Sequence, residues 1–195
     1  MKAAVNSLRE TIRFIILTGI LLAVSGISAK QYPSIETYYG IQEGTKDAFV
    51  AVEGDIKASR KQVWEVLTTT DKNKICTHTK DVLEFSIHKI SEGRYQAYYL
   101  LDYPWPFQDK WQKLEIVHDK SHYKIFWNRI AGSIKRNRGY YVLEEHDAYT
   151  TLSYRVEFDP GIKYIPEKLV QYAIKVQAPR IVKNIRKCVD HSSDS

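Results

Sequence analysis

Histidine, cysteine and carboxylate side chains are the groups with which this chain could do chemistry, and their spacing supports little of it. His118 and His122 stand four apart, a metal-ligand spacing on a helix. Here they fall in a turn between strand-like runs with no third ligand close in sequence, so a solvated hairpin turn accounts for them better. Cys76 and His78, separated by Thr77, offer two soft ligands and no more. Gly-x-Ser-x-Gly, His-Glu-x-x-His, the phosphate loop and the paired-glycine dinucleotide pattern are all missing from the sequence. Nucleophilic, zinc and nucleotide chemistry therefore have no positive support, and no catalytic residue, metal or cofactor is expected. Glu115, Glu144, Arg155 and Glu157 lie on strand-like runs and would serve as acid and base groups if they faced an interior cavity. Alternation leaves their face open, because both faces of several strands carry aromatics. Arg129, Lys135, Arg136 and Arg138 make the densest basic patch, beside Asn137 and Tyr140-Tyr141. Basic residues among aromatics can hold single-stranded nucleic acid, but the recognition motifs are missing and no nucleic-acid partner is expected. Contact with anionic lipid is the more economical functional reading of this patch, and a solvated loop is simpler than either.

The elements that would position these groups read as an α+β order. A strand-like run at 48–56 is followed by Ser59, an N-cap whose capping box is completed by Gln62. Val63, Trp64, Val66 and Leu67 then give a short helix one buried face. The β-branched run Thr68-Thr69-Thr70 ends it, and 71–81 reads as a second, weaker helix or a loop. From 82 to 158, strand-like runs alternate with turn signals: 82–90 with 95–101, 109–117 with 123–127, and 140–144 with 150–158. Successive hairpins of this kind build a meandering antiparallel sheet. A final helix is expected over 166–189, roughly 36 Å long, with Pro166 in its first turn and Pro179 as a kink or bend. Val170, Ile174, Gln177, Ile181, Ile185 and Cys188 recur along it at helical spacing, with Leu169, Ala173 and Val176 beside them. That broad stripe must be covered. A curved sheet wrapped around the helix covers it, and the space left between them is a natural cavity.

The chain of 195 residues, 44% hydrophobic and 27% charged, has room for one good core. Its 14 tyrosines suit the wall of a mostly apolar cavity that must also hold a polar head, although strand packing favours tyrosine too. Residues 1–29 read as a signal peptide: Lys2, Arg9 and Arg13 precede an apolar stretch at 14–24 and a small-residue run ending at Ala29. The apolar stretch is shorter than the ~20 residues of a spanning helix. Export to the periplasm or the extracellular medium is therefore expected, with membrane tethering if cleavage fails. Segment 30–47 is a polar lead-in in which 35–41 could add an edge strand, 48–190 is the folded domain, and 191–195 is a disordered tail. Loss of the signal would lower the formal charge of +6 by two and leave a mildly basic surface, a charge of the size that ordinarily keeps a protein soluble. Cys76 and Cys188 are the only cysteines; in an oxidising compartment they could pair, but sequence does not give their separation in space.

Two blocks stand where one fold needs them. Tyr103-Pro104-Trp105-Pro106-Phe107-Gln108-Asp109-Lys110 opens a mid-chain strand, and the run from Phe158-Asp159-Pro160-Gly161 through Ile165-Pro166 to Leu169-Val170 leads into the last helix. Together they resemble the START (StAR-related lipid-transfer) domain within the helix-grip, Bet v 1-like superfamily, over about residues 49–189. In that family the Pro-Trp-Pro block is commonly followed by an Arg-Asp pair; here Lys110 and Trp111 take those positions, and lysine cannot reproduce a bidentate guanidinium contact. Lys168 replaces a usual tryptophan and Gln171 a usual asparagine. The resemblance implies a helix-grip fold, with two short helices after the first strand and a curved antiparallel sheet around the long C-terminal helix. It also implies a monomer that binds a lipid or other hydrophobic molecule without catalysis, and a transient contact with a membrane surface. Tyr99, Trp111, Tyr154, Leu169, Val170, Ala173 and Ile174 are the expected lining. A polyketide cyclase-like enzyme using the same cavity, or an interaction module with a filled core, are the alternatives.

Overall fold

The computed structural model describes residues 34–44, 47–71, 75–76, 81–103 and 106–193. Eight strands form a single curved antiparallel sheet: β1 (Ile35–Ile41), β2 (Ala48–Ile56), β3 (Val82–Ser91), β4 (Arg94–Leu101), β5 (Lys110–Asp119), β6 (Lys124–Gly132), β7 (Arg136–Glu145) and β8 (Thr150–Asp159). Their order is β1-β2-β8-β7-β6-β5-β4-β3, so every strand from β3 to β8 lies beside its neighbour in sequence and β2 returns to pair with β8. The chain thus has the α+β helix-grip architecture expected of it. The signal segment, part of the 71–81 helix-or-loop window and the Pro104-Trp105 pair lie outside the described residues.

Helix α1 (Arg60–Thr68) starts at the capping box read from sequence: Ser59 accepts from the Gln62 N–H, and the Gln62 side chain accepts from the Ser59 N–H at 3.0 Å. Val63 and Trp64 are its buried residues. The second helix, α2, spans Glu167–Ser193 and contains Pro179. Pro166 stands one position before it and caps it through its carbonyl, which accepts from Leu169 N at 2.9 Å.

The buried face of α2 is turned relative to the stripe expected from sequence. Gln171, Ala178, Val182, Ile185 and Val189 are buried, with Ile174 and Ile181 packed beside them. Leu169 and Val176, counted with the apolar stripe, are exposed. The C-terminal half of α2 packs on β1, β2 and α1. Close approach is possible there because Gly54 has no side chain; a β carbon would lie 2.5 Å from Val182 Cγ1. Arg186 fixes the same end, donating to Asp55 O at 2.8 Å and Ser34 O at 2.7 Å. Cys76 and Cys188 form a disulfide, with Cα atoms 6.3 Å apart, that joins the segment after α1 to the last turns of α2.

The basic patch is not a loop. Arg129 ends up on β6, while Arg136 and Arg138 are on β7, and the turn between them is confined to 133–135. Arg136 pairs with Asp47, Arg138 with Asp47 at 3.1 Å and Glu157 at 2.6 Å, and Lys135 with Asp159 at 2.9 Å. Sequence could not foresee this, since the partners lie on distant strands. The cluster is largely neutralised and is not a free cationic surface.

Candidate functional site: a cavity between sheet and helix

From Ala178 towards its N-terminus, α2 stands off from most of the sheet until Gln171 Nε2 donates to Phe158 O at 3.4 Å, and a cavity of about 730 Å³ lies between them. Inward positions follow the period of two along each strand. They are Phe85 and Ile87 on β3, Tyr99 and Leu101 on β4, and Gln112, Leu114, Ile116 and His118 on β5. The wall continues with Ile125 and Trp127 on β6, Asn137 and Tyr141 on β7, and Tyr154, Val156 and Phe158 on β8. Ala173, Ile174, Gln177, Ala178 and Ile181 of α2 close the other side, while Leu67, Thr69 and Ile75 border it from α1 and the segment after it. Asp81, Asp102 and Tyr103 stand where β3 and β4 meet, with Asp102 N bonded to Asp81 O at 2.8 Å.

Four of the seven residues expected to line a cavity are on this wall: Tyr99, Tyr154, Ala173 and Ile174. Three are not. Trp111 occupies an odd position of β5, whose even positions face inward, so its ring stacks on Tyr98 on the outer face. Leu169 is 59% exposed on α2, and Val170 borders a smaller depression beside Lys135 and Pro160. The turn of the helix face described above removes both. Strand register and helix rotation are the quantities that sequence left open, and these three placements depended on them.

Burial keeps the deeply placed tyrosines and the histidine of the wall neutral. Burial pushes the Tyr99 hydroxyl up to about 12. It raises Tyr141 well above the usual phenol range, with the nearby Tyr154 and Tyr99 adding to the effect. Tyr154 is raised by burial as well. These phenols therefore remain protonated at any physiological pH. His118 is not in the turn, as the sequence reading had it, but on β5 pointing inward, with the rings of Tyr95 at 4.5 Å and Trp64 at 6.0 Å. Desolvation lowers it to about 4, so it is a neutral imidazole in the wall. His122 does sit in the turn, 2.8 Å from Asp119. Among the described residues no three potential metal ligands cluster.

A polar relay crosses one end of the wall. Trp127 lies opposite Gly139, where a β carbon would stand 2.4 Å from the indole Cζ2; glycine lets the ring lie flat on β7. From there Trp127 Nε1 donates to Asn137 Oδ1 at 2.9 Å, and Asn137 Nδ2 donates to Gln112 Oε1 at 3.0 Å. Sequence reading missed all three residues as a group. The residue types gave no signal, because Asn137 and Gln112 are 25 apart in the chain and meet only across the sheet.

The four charged residues that sequence offered as acid and base groups lie elsewhere. Glu115, Glu144, Arg155 and Glu157 alternate with cavity-facing residues and so point to the outer face. There Arg155 covers the Phe49 ring at 3.8 Å and pairs with Glu157 at 3.3 Å, and Glu115 lies 3.9 Å from Arg94.

No family model and no curated protein sequence matches the chain. Solved structures do. The STAR-related lipid transfer protein from Xanthomonas axonopodis superposes with a TM-score of 0.65 at 20% identity, over 83% of this chain and 97% of that one. Human STARD10 gives 0.62 at 13% identity, over 80% and 69% of the two chains. The Zhui aromatase/cyclase from Streptomyces sp. R1128 gives 0.55 at 11% identity, over 83% and 94%. Element order, sheet topology and these superpositions agree that the chain has the helix-grip fold, the one found in StAR-related lipid transfer proteins and in an aromatase/cyclase.

Proposed function

We propose that the protein binds a lipid or other hydrophobic small molecule in the cavity between the sheet and α2, and carries it without transforming it. The observation that supports this reading is the wall itself: about 730 Å³ bounded mainly by aliphatic and aromatic side chains, within the range of ligand sites of one-molecule size. Binding would draw on burial of apolar ligand surface, roughly 25 cal/mol per Å² before ordering costs. Catalysis of the cyclase type has less support, because Glu115, Glu144, Arg155 and Glu157 face away from the cavity. The disulfide favours an exported protein, since such bonds persist in oxidising compartments.

A transient membrane contact fits the same reading. Tyr164, Leu169, Tyr172 and Val176 are exposed on α2 and the turn before it, beside Lys163, Lys168 and Lys175. Apolar side chains flanked by lysines suit an anionic bilayer surface. The test is native mass spectrometry with lipid extraction on protein purified from an exported preparation. A bound lipid near one-to-one stoichiometry is the expected result. An empty protein that also takes up nothing from vesicles would overturn the proposal.

A further inference from the structure

The relay at the end of the cavity has a direction, and the direction selects a ligand. An indole N–H can only donate, so Trp127 obliges Asn137 to present its carbonyl oxygen at 2.9 Å. Asn137 must then present its NH2 to the next group, which fixes the Gln112 oxygen as the acceptor at 3.0 Å. Within the relay this leaves the Gln112 NH2 as the donor group without a bond. Gln112 is 4% exposed and lines the wall, and among the described residues its Nε2 has no hydrogen-bond partner. That NH2 opens on the cavity and is not sealed in protein, so an acceptor on a ligand can reach it.

From this relay we infer that the molecule held in the cavity carries a neutral hydrogen-bond acceptor, a carbonyl oxygen, seated on the Gln112 NH2. The inference rests on the carrier reading above and adds the chemical class of the ligand's polar group. Around the donor stand the hydroxyl-bearing rings of Tyr99, the cross-strand partner of Gln112, and of Tyr141 and Tyr154. An anionic head would have to be buried here without a compensating cation, since the described wall residues include no Lys or Arg. A ketone, ester or amide oxygen meets the donor at no such cost, while the rest of the ligand fills the aliphatic and aromatic remainder.

The test compares methyl nonyl ketone with undecane, two chains of matched length, by displacement of Nile red from the full protein. The ratio of ketone to undecane affinity should be about fivefold higher in the unsubstituted protein than in Gln112→Met, the worth of one neutral hydrogen bond. Trp127→Phe supplies an independent check, because without the indole the amide pair can reverse and turn the Gln112 oxygen to the cavity; the ketone preference should fall and the matching secondary alcohol should draw level. The infrared carbonyl stretch of the bound ketone should lie at lower frequency in the unsubstituted protein than in Trp127→Phe, which a purely structural role for the relay would not produce. A ketone-to-undecane affinity ratio that is unchanged in Gln112→Met overturns the inference and leaves the carrier reading standing. If neither compound displaces Nile red, the carrier reading falls, and the inference falls with it.

Discussion

Breaking the Cys76–Cys188 bond, by reduction or by serine at both positions, should destabilise the fold substantially. The bridge joins positions 112 apart in the chain. In the chain-entropy account, a closed loop of that length restricts the unfolded chain by about 16 cal/mol/K, or ~5 kcal/mol at room temperature. Single domains have about 5–15 kcal/mol in total, so the bond would carry a third or more of the stability. For a chain of this size the melting temperature should drop by on the order of 10–20 °C. The effect also reaches the site, because Ile75 adjoins the bridge and borders the cavity. Without the bond that wall element is no longer tied to α2, and a bound ligand should dissociate faster. The assay is urea and thermal unfolding of oxidised, reduced and doubly substituted protein, with ligand off-rates measured alongside. A stability difference below about 1 kcal/mol would refute the reasoning, since it would mean that the loop is not closed in the folded protein or that the unfolded chain is already as compact as a closed one.

Three further outcomes follow from named contacts. His118 is held near 4 against an ordinary 6.5, so the unfolded chain takes up the proton first; stability should be full above about pH 6.5 and decline as pH falls towards 4. His118→Phe should flatten that part of a plot of urea midpoint against pH, and an unchanged slope would contradict the assignment. Asp47→Ala removes a carboxylate that both Arg136 and Arg138 contact, and should cost about 1–3 kcal/mol in urea unfolding; a loss under about 0.5 kcal/mol would show the cluster to be ordinary surface pairing. Leu169→Glu with Tyr172→Glu should reduce co-sedimentation with phosphatidylglycerol vesicles several-fold and leave the unfolding midpoint unchanged, because both side chains are exposed. Unaltered vesicle binding would remove α2 as the contact.

Local signals in the sequence translated directly into structure. The Ser59 box, the hairpin turns and the periodicity of the last helix each act within a few residues, and the sheet topology follows from strands that pair with their neighbours in sequence. What sequence left open depends on phase. Trp111 and Gln112 are adjacent, yet one stacks on the outer face and the other lines the cavity; a strand that begins one residue earlier or later exchanges them. On α2 the apolar set is broad enough that a turn of one residue, about 100°, decides whether Val170 or Gln171 is buried, and packing on β1 and β2 made that choice. The Trp127-Asn137-Gln112 relay and the pairing of Arg136 with Asp47 join residues far apart in the chain, and no spacing rule reaches them.

The cavity follows from contrast along the inner face of the sheet. Where Gly54 faces Val182 the helix meets backbone, and Val182, Ile185 and Val189 are sealed against β2 and its neighbours. Towards the other end the sheet carries Trp127, Tyr141 and Tyr154, whose rings pack on one another at centroid distances of 5.1 to 5.8 Å. Opposite them α2 offers Ala173, Gln177 and Ala178, too small or too polar to fill the gap. Rings that brace one another cannot collapse upward, and a helix already anchored at its far end cannot drop to meet them. The same helix therefore supplies stability through one half and a binding site through the other. Substitutions at Gly54 or Val182 should act on folding, whereas those at Gln112 or Tyr141 should act on which molecule is held.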